Sequence, residues 1–346
     1  MRTLAKLAAL CLTPVVLGAQ SVDLTGAGAT FPYPIYSKWF ADYAAKTGVK
    51  INYQSIGSGG GIRQLSDGTV DFGASDSPMT DGEMQKAKGG RVLHFPTVIG
   101  AVAVVYNVPG IAKPLNLDGS TLSDIFLGKL RKWNDGKIAK LNPGVSLPAR
   151  DIVVVHRSDG SGTTYIFTDF LASSSKEWLA GPGRSKEVAW PIGLGGKGND
   201  GVASQVKQIP GAIGYVELAY ARQTNLSFAA VRNSAGSFVL PSVESATAAA
   251  DGVASKLNAK SDYRISIVNA PGAQAYPVTS FTWLLAYQDQ TDPIKGKKLV
   301  DFMRWALTSG QAAASALDYA PLPKVVAGRL VERLGTIRLA GGAATQ

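Results

Sequence analysis

The chain has 346 residues, of which 45% are hydrophobic and 17% are charged. This composition is typical of a globular protein with room for two domains, and it excludes a disordered or repetitive chain. The formal net charge is +10, but the basic residues are scattered and form no stripe with interleaved aromatic side chains. We therefore expect no nucleic-acid partner, and we interpret the excess charge as solvated surface that attracts anions weakly.

The first 19 residues predict a cleavable export signal. Arg2 and Lys6 make its beginning basic, residues 7–17 form an apolar run that is short for a membrane span, and the small residues Gly18 and Ala19 form a cleavage zone before Gln20. A frayed N-terminal helix is the alternative. The pattern favours export.

The chain contains one cysteine, Cys11, and it lies inside this signal. Leu10 precedes it, where a lipoprotein signal would have a small residue, so we expect no lipid anchor. The mature chain would then have neither disulfides nor cysteine-ligated metals, which suits the bacterial periplasm.

Strands and helices alternate along the chain, which predicts an α/β fold with its ligand at the carboxyl ends of strands. The predicted strands cover residues 21–24, 50–54, 70–74, 94–107, 152–155, 213–216 and 278–287. The predicted helices cover residues 31–46, 62–67, 122–127, 137–141, 163–172, 202–208 and 293–309. The two long strand-like passages are spaced like two crossings between lobes, which predicts a hinged protein that closes on its ligand.

Three segments of small residues each stand where a loop enters a helix. Helix N-termini leave main-chain N–H groups unpaired, and glycine lets them approach a ligand closely, so converging segments would bind a small anion. Each segment alone is also explained as an ordinary turn or helix start. A fourth glycine-rich stretch, residues 193–201, lacks the spacing of a P-loop, and we interpret it as a structural turn. The three segments are Gly28-Ala29-Thr30-Phe31, Gly57-Ser58-Gly59-Gly60-Gly61 and Asp159-Gly160-Ser161-Gly162-Thr163-Thr164.

The third segment follows a predicted buried strand and an arginine. Arg157 would stand at the end of that strand, and its guanidinium is a planar set of donors that matches an oxyanion. Asp159 either fixes this arginine through an ion pair or caps the next helix. An ordinary helix start with a surface arginine is the alternative for the whole segment.

A carboxylate, Asp76, also follows a predicted strand. An anion that still carries a proton, such as monohydrogen phosphate, can donate a hydrogen bond to an ionised aspartate, whereas a fully ionised sulfate would be repelled. Asp76 would then select the ligand by its protonation. On local grounds, a helix N-cap before Pro78 explains Asp76 equally well.

Taken together, seven segments resemble the phosphate-binding proteins of the bacterial high-affinity phosphate ABC transporter. The resemblance covers nearly the whole chain after the signal, in order. The segments are LTGAGATFP (24–32), DFGASD (71–76), FPTVIG (95–100), DGSGT (159–163), WPIGLGGKGNDG (190–201), PGAIGYVE (210–217) and LDYAPLP (317–323).

The resemblance implies a type II periplasmic binding protein, with an α/β fold of two lobes, two crossings between them and phosphate buried in the cleft. One lobe would comprise residues 20–100 and 275–346, and the other residues 101–274. Asp159 would fix Arg157 through an ion pair without contacting the phosphate itself. The family's phosphate contacts fall on Thr30, Phe31, Ser58, Asp76, Arg157, Ser161, Gly162 and Thr163.

The resemblance further implies a monomeric periplasmic receptor that delivers phosphate to the membrane subunits of a permease with a cytoplasmic ATPase, without cofactor, metal or catalysis. A phosphatase or phosphotransferase is the enzymatic alternative; it would need a nucleophile with a base or a metal cluster, and the chain has only His94 and His156. A different anion is another alternative, such as sulfate, arsenate or a phosphonate, although Asp76 argues against sulfate. A signalling or adhesive role would leave the same site in place.

Overall fold

The computed structural model describes residues 23–341, so the predicted export signal lies outside the described residues. Within the described part, no helix combines the length and the apolar character that a membrane crossing requires. The strands are β1 (Leu24–Gly28), β2 (Ile51–Ser55), β3 (Phe72–Ser75), β4 (Val92–Tyr106), β5 (Asn116–Leu117), β6 (Val153–Arg157), β7 (Leu194–Gly196), β8 (Ala212–Glu217), β9 (Ser227–Phe228), β10 (Ala230–Arg232), β11 (Phe238–Val239), β12 (Thr279–Tyr287), β13 (Asp289–Gln290) and β14 (Arg338–Leu339). The α-helices are α1 (Tyr33–Thr47), α2 (Ser58–Ser66), α3 (Asp81–Gln85), α4 (Gly119–Phe126), α5 (Gly136–Leu141), α6 (Gly162–Ser174), α7 (Lys176–Ala180), α8 (Gly198–Gln208), α9 (Leu218–Gln223), α10 (Val243–Asp251), α11 (Pro293–Leu307) and α12 (Lys324–Leu334).

The main sheet has the strand order β2-β1-β3-β12-β4-β8-β6-β7, with β9 paired to β4. Strand β4 is shared by the two halves of this sheet. Its residues 92–101 pair with β12, and its residues 102–106 pair with β8. The chain passes between the halves a second time just before β12, where the Val102 N–H donates to the Val278 carbonyl at 2.8 Å. Two α/β halves are therefore joined by two adjacent passages, and the lobe limits given above stay a prediction.

Parallel pairing brings the carboxyl ends of several strands together. In the first half, Gly28 at the end of β1 pairs with Ser55 on β2 and with Ala74 on β3. In the second half, Arg157 at the end of β6 pairs with Gly196 at the end of β7. The loops that follow these strands leave each half at one edge, because parallel strands that are in register end together.

Helix α1 buries an aromatic face against the first half of the sheet. Tyr36, Trp39, Phe40 and Tyr43 recur at helical spacing and are all buried. The ring centroid of Phe40 lies 5.4 Å from that of Phe302 on α11. Fully burying one such side chain contributes about 1.5–3 kcal/mol, so α1 is firmly held and the residues just before it have a fixed position.

All the predicted strands and helices overlap observed ones, but two predictions of local structure were wrong. Helix α2 begins at Ser58, inside the glycine run rather than at residue 62. The absence of side chains allows this close packing: a Cβ on Gly61 would lie 2.4 Å from the Gly28 Cα. In the stretch interpreted as a turn, residues 194–196 form β7 because they pair with β6. The sequence analysis also missed α3, α7, α9, α10 and α12.

Candidate anion-binding site

The three small-residue segments meet at one place between the two halves of the molecule. The Ser58 hydroxyl lies at the centre of this meeting point. Its oxygen accepts from the Asp76 N–H at 3.1 Å and from the Gly162 N–H at 3.0 Å. The Gly59 N–H donates to the Gly160 carbonyl at 2.8 Å. The structure therefore brings segments from both halves into direct hydrogen-bonding contact.

Every residue predicted to contact the anion is buried here, and we call this group the anion cluster. At Arg157, 3% of the residue surface is exposed, and the Ser58, Ser161 and Thr163 side chains are fully enclosed. Charges and hydroxyl groups in such surroundings need partners, and interactions between them are stronger than in water. The role of these residues as phosphate contacts stays a prediction. The anion cluster consists of Thr30, Phe31, Ser58, Asp76, Arg157, Ser161, Gly162 and Thr163.

Arg157 is held by a two-point ion pair with Asp159. The Arg157 Nε donates to Asp159 Oδ1 at 2.8 Å, and its Nη2 donates to Oδ2 at 2.5 Å. Burial raises the pKa of Asp159, but the hydrogen bonds and charge of Arg157 outweigh it and hold that pKa below its ordinary value. The helix cap is another residue, Ser161, whose hydroxyl accepts from the Thr164 N–H at 3.0 Å. Of the two interpretations of Asp159, the ion pair is confirmed.

Asp76 is a buried carboxyl group with 1% of its surface exposed. Thr282 on β12 donates its hydroxyl proton to Asp76 Oδ1 at 2.8 Å, and the Ser58 hydroxyl lies 3.4 Å from Oδ2. Burial raises the pKa of Asp76 to about 7, although Thr282, Arg157 and Ser58 act in the opposite direction. Asp76 caps no helix, because the N-cap of α3 is Thr80. Oδ2 therefore keeps accepting capacity on the side of the anion cluster.

The sequence analysis missed two side chains that contact the anion cluster. Asn199 in the first turn of α8 is fully buried, and its Nδ2 lies 2.7 Å from the Thr30 hydroxyl and 3.2 Å from the Thr163 hydroxyl. Thr282 is the partner of Asp76 described above. The glycine run before Asn199 was the available signal for the first of them, whereas no local pattern marked Thr282.

Two tyrosines fix the main chain of the first segment. The Tyr220 hydroxyl donates to the Thr30 carbonyl at 2.6 Å, and the Tyr319 hydroxyl donates to the Phe31 carbonyl at 2.6 Å. Both tyrosines lie far from this segment in the chain. Both carbonyls have donors within the protein. Within residues 23–341, the donors of Thr30 and Phe31 that have no acceptor are the Thr30 hydroxyl and the two main-chain N–H groups.

Neither histidine donates to or accepts from a side chain of the anion cluster. The Met79 N–H donates to His94 Nε2 at 3.1 Å, and the other ring nitrogen faces Asp262 at 2.9 Å. Burial lowers the pKa of His94, although Asp262 opposes this. His156 stacks on Trp190 with 4.8 Å between ring centroids. In the described residues, no group of three or more His, Cys, Asp or Glu side chains could hold a metal ion.

Chemically, the anion cluster offers many N–H and O–H donors, one guanidinium whose charge is offset by Asp159, and one carboxylate. Donors of this kind match the oxygen atoms of a small oxyanion, and the carboxylate matches a proton on it. The cluster lies between two α/β halves joined by two passages. The fold and the site together define a two-lobed binding protein for a small solute.

Comparisons with known proteins agree with this class. Residues 16–309 match the family model described as a PBP superfamily domain. The phosphate-binding protein PstS of Xylella fastidiosa is 50% identical over 305 residues, which cover 88% of this chain and 82% of that protein. The phosphate-binding protein PstS of Pasteurella multocida is 47% identical over 323 residues, covering 93% and 92%. The crystal structure of a phosphate-binding protein from Stenotrophomonas maltophilia has a similar fold, with a TM-score of 0.68 at 20% identity, covering 90% of this chain and 94% of that one.

The chain belongs to the PBP superfamily and, within it, to the family of PstS phosphate-binding proteins. The family resemblance and the two-lobed α/β fold predicted from the sequence are thereby confirmed.

Proposed function

We propose that this protein binds inorganic phosphate in the anion cluster and delivers it to an ABC importer. The observation that carries the proposal is the buried Asp76 carboxyl group among donors from both lobes. Relatives that are 47–50% identical are named phosphate-binding protein PstS, which supports the same ligand here. The contacts would be Thr30, Phe31, Ser58, Asp76, Arg157, Ser161, Gly162 and Thr163.

The charges of the anion cluster favour an anion that keeps a proton. Arg157 and Asp159 offset each other, and monohydrogen phosphate and sulfate are both dianions, so net charge does not separate the two anions and Asp76 distinguishes them by the proton on phosphate. Monohydrogen phosphate has one proton to donate to Asp76 Oδ2, and its other oxygens accept from the surrounding N–H and O–H groups. Sulfate at neutral pH has no such proton, so its oxygen would face the carboxylate directly. Sites that require a ligand hydroxyl reject analogues without it by about 10⁴–10⁵-fold.

The same proposal covers location, partners and activity. We place the mature protein in the periplasm as a monomer that docks on the membrane subunits of a permease with a cytoplasmic ATPase. The protein would bind phosphate without a cofactor or metal and without catalysing a reaction. Neither imidazole contacts a side chain of the anion cluster, and both ring nitrogens of His94 are engaged by the Met79 N–H and Asp262, which supports binding without catalysis.

Calorimetric titration of ligand-stripped protein tests the proposed function. We expect phosphate to bind with micromolar or lower Kd, corresponding to about 8 kcal/mol or more, and sulfate to bind at least about 10⁴-fold more weakly. The Arg157→Met variant should lose roughly 10- to 100-fold in phosphate affinity, because a hydrogen bond to a charged group contributes about 1.5–3 kcal/mol.

Arg338→Met is the matched control for Arg157→Met. Arg338 also forms a two-point ion pair, with Asp289, but on the surface. We expect its substitution to leave phosphate affinity unchanged. Equal affinity of the wild-type protein for phosphate and sulfate, or no binding of phosphate at all, would overturn the proposal.

Closure of the phosphate-free protein should depend on pH through Asp76. In an open form the carboxylate faces water and keeps its ordinary pKa, whereas in the closed structure burial raises that pKa to about 7. Between these two pKa values the closed form binds one more proton than the open form. The free energy that favours closure is therefore largest below about pH 4, and it falls by about 1.4 kcal/mol per pH unit as the pH rises towards 7. Above pH 7 this free energy no longer changes with pH.

Small-angle X-ray scattering in phosphate-free buffer measures this effect. The radius of gyration of the wild-type protein should be smaller at pH 5 than at pH 8.5, because the closed form is more populated at the lower pH. The Asp76→Asn variant lacks the titrating group and should show no such difference. A change of the same size in both proteins would assign the pH dependence to other groups.

A further inference from the structure

Asn199 links the two lobes inside the anion cluster. Thr30 follows β1 of the first lobe, whereas Thr163 lies in the first turn of α6 of the second. One carboxamide group reaches both hydroxyls, with Nδ2 at 2.7 Å from Thr30 Oγ1 and 3.2 Å from Thr163 Oγ1. Asn199 itself is fully buried. Asn199 therefore contacts the hydroxyl groups of two of the residues that we propose bind phosphate.

The orientation of this carboxamide is fixed by the main chain. The Glu217 N–H lies 2.9 Å from Asn199 Oδ1. A main-chain N–H can only donate, so the atom that it faces must be the carboxamide oxygen rather than the nitrogen. The NH₂ group consequently faces Thr30 and Thr163, and it has one proton for each hydroxyl.

Both hydroxyl oxygens are saturated as acceptors. Thr30 Oγ1 receives the Asn199 Nδ2–H and, at 3.3 Å, the Asn199 main-chain N–H. Thr163 Oγ1 receives the Asn199 Nδ2–H and, at 3.3 Å, the Arg157 Nη1–H. A hydroxyl has two lone pairs and one proton, so each threonine is left with an O–H group to donate. Within residues 23–341, neither hydroxyl donates to an acceptor of the protein.

We propose that Asn199 is a positioning residue that sets the Thr30 and Thr163 hydroxyls as donors to the bound oxyanion. This inference rests on the proposed function and identifies how the same site is oriented. The carboxamide occupies one lone pair of each hydroxyl, and the Asn199 main-chain N–H and the Arg157 Nη1–H occupy the others, so neither threonine presents an acceptor to the anion. One threonine comes from each lobe, so the same group orients donors from both lobes.

The Asn199→Asp variant reverses this arrangement with almost no change in shape. The Glu217 N–H keeps an acceptor, but the NH₂ group is replaced by an oxygen that attracts the hydroxyl protons of both threonines. We expect phosphate affinity to fall by about 100- to 1000-fold, because both hydroxyl groups would donate to the aspartate and no longer to the charged ligand. Titration calorimetry with inorganic phosphate measures the loss, and circular dichroism monitors the fold.

A mutant cycle separates positioning from a merely structural role. Asn199→Ala should weaken phosphate binding in the wild-type background and have little further effect in a Thr30→Val/Thr163→Val background, because the hydroxyls through which it acts are gone. Equal losses in the two backgrounds would overturn the proposal. The cycle also decides the question if Asn199→Asp fails to fold.

Asn142→Asp is the matched control. Asn142 is another buried asparagine, and among the described residues its carboxamide bonds only to Asn116 and the Ile138 carbonyl, away from the anion cluster. Its substitution should leave the phosphate affinity of the folded protein unchanged. Wild-type affinity in Asn199→Asp would refute the positioning role while the proposed function stands. Failure of the wild-type protein to bind phosphate would refute both.

Discussion

Asp76→Asn is expected to abolish most of the discrimination between phosphate and sulfate. The carboxamide has no negative charge to repel a fully ionised oxygen, and its NH₂ group can donate to one. We expect the affinity ratio of the two anions to fall at least about 100-fold from the roughly 10⁴ expected for a site that requires a ligand hydroxyl. Most of the change should come from tighter binding of sulfate, because the repulsion is removed.

Competitive titration with both anions at pH 8 measures this ratio, since wild-type Asp76 is mostly ionised there. Asp71→Asn is the matched control. Asp71 lies just before β3 and is largely buried, but it accepts hydrogen bonds from Thr25 and Lys295 rather than facing the anion cluster. An unchanged ratio in Asp76→Asn would mean that another group selects the ligand.

Gly162→Ala should prevent the lobes from closing fully without destabilising the fold. A Cβ on Gly162 would lie 2.5 Å from the Ser58 Oγ and 2.6 Å from the Asp76 Cβ, both of which belong to the other lobe. The contact can be relieved by separating the lobes, which also removes the Gly162 N–H bond to Ser58. We expect phosphate affinity to fall about 100-fold or more, because hydrogen bonds to a charged ligand contribute about 1.5–3 kcal/mol each and several would lengthen.

The melting temperature of the phosphate-free protein distinguishes a steric block to lobe closure from misfolding. Gly162 begins α6, and alanine is favoured over glycine in helices by about 1 kcal/mol, so this temperature should not fall. Gly328→Ala on α12 is the matched control, because a Cβ there would meet no atom within 4 Å. It should leave phosphate affinity unchanged. A phosphate affinity equal to that of the wild-type protein in Gly162→Ala would contradict the proposal that the added Cβ blocks lobe closure.

The residues of the anion cluster were predicted through the family resemblance, because each local signal alone is also explained as an ordinary turn or helix start. The strand Val153–Arg157 is apolar at its start and ends at an arginine, and the glycines beside Ser58 and Thr163 mark close approach of the backbone. Parallel strands end at a common edge, so loops distant in sequence were expected to meet. The alternation of strands and helices was sufficient to predict the α/β class.

Other contacts were not predictable, because they depend on tertiary packing between elements that are distant in sequence. Thr282 lies within a uniformly buried strand, and only its pairing near Ser75 brings it to Asp76. Asn199 reaches Thr30 across 169 positions of sequence. Helix α2 begins early for the same reason, because a glycine-rich segment is favoured as a helix only where it packs closely against neighbouring strands. Local propensity does not contain this information.

Strand β4 belongs to the sheets of both lobes, and this affects how the whole molecule unfolds. Since residues 92–101 complete the sheet of one lobe and residues 102–106 complete that of the other, neither lobe has a finished sheet of its own. Loss of this strand would expose open edges in both lobes at once. We therefore expect the two lobes to unfold as one cooperative unit, even though they are expected to move relative to each other when the protein captures its ligand.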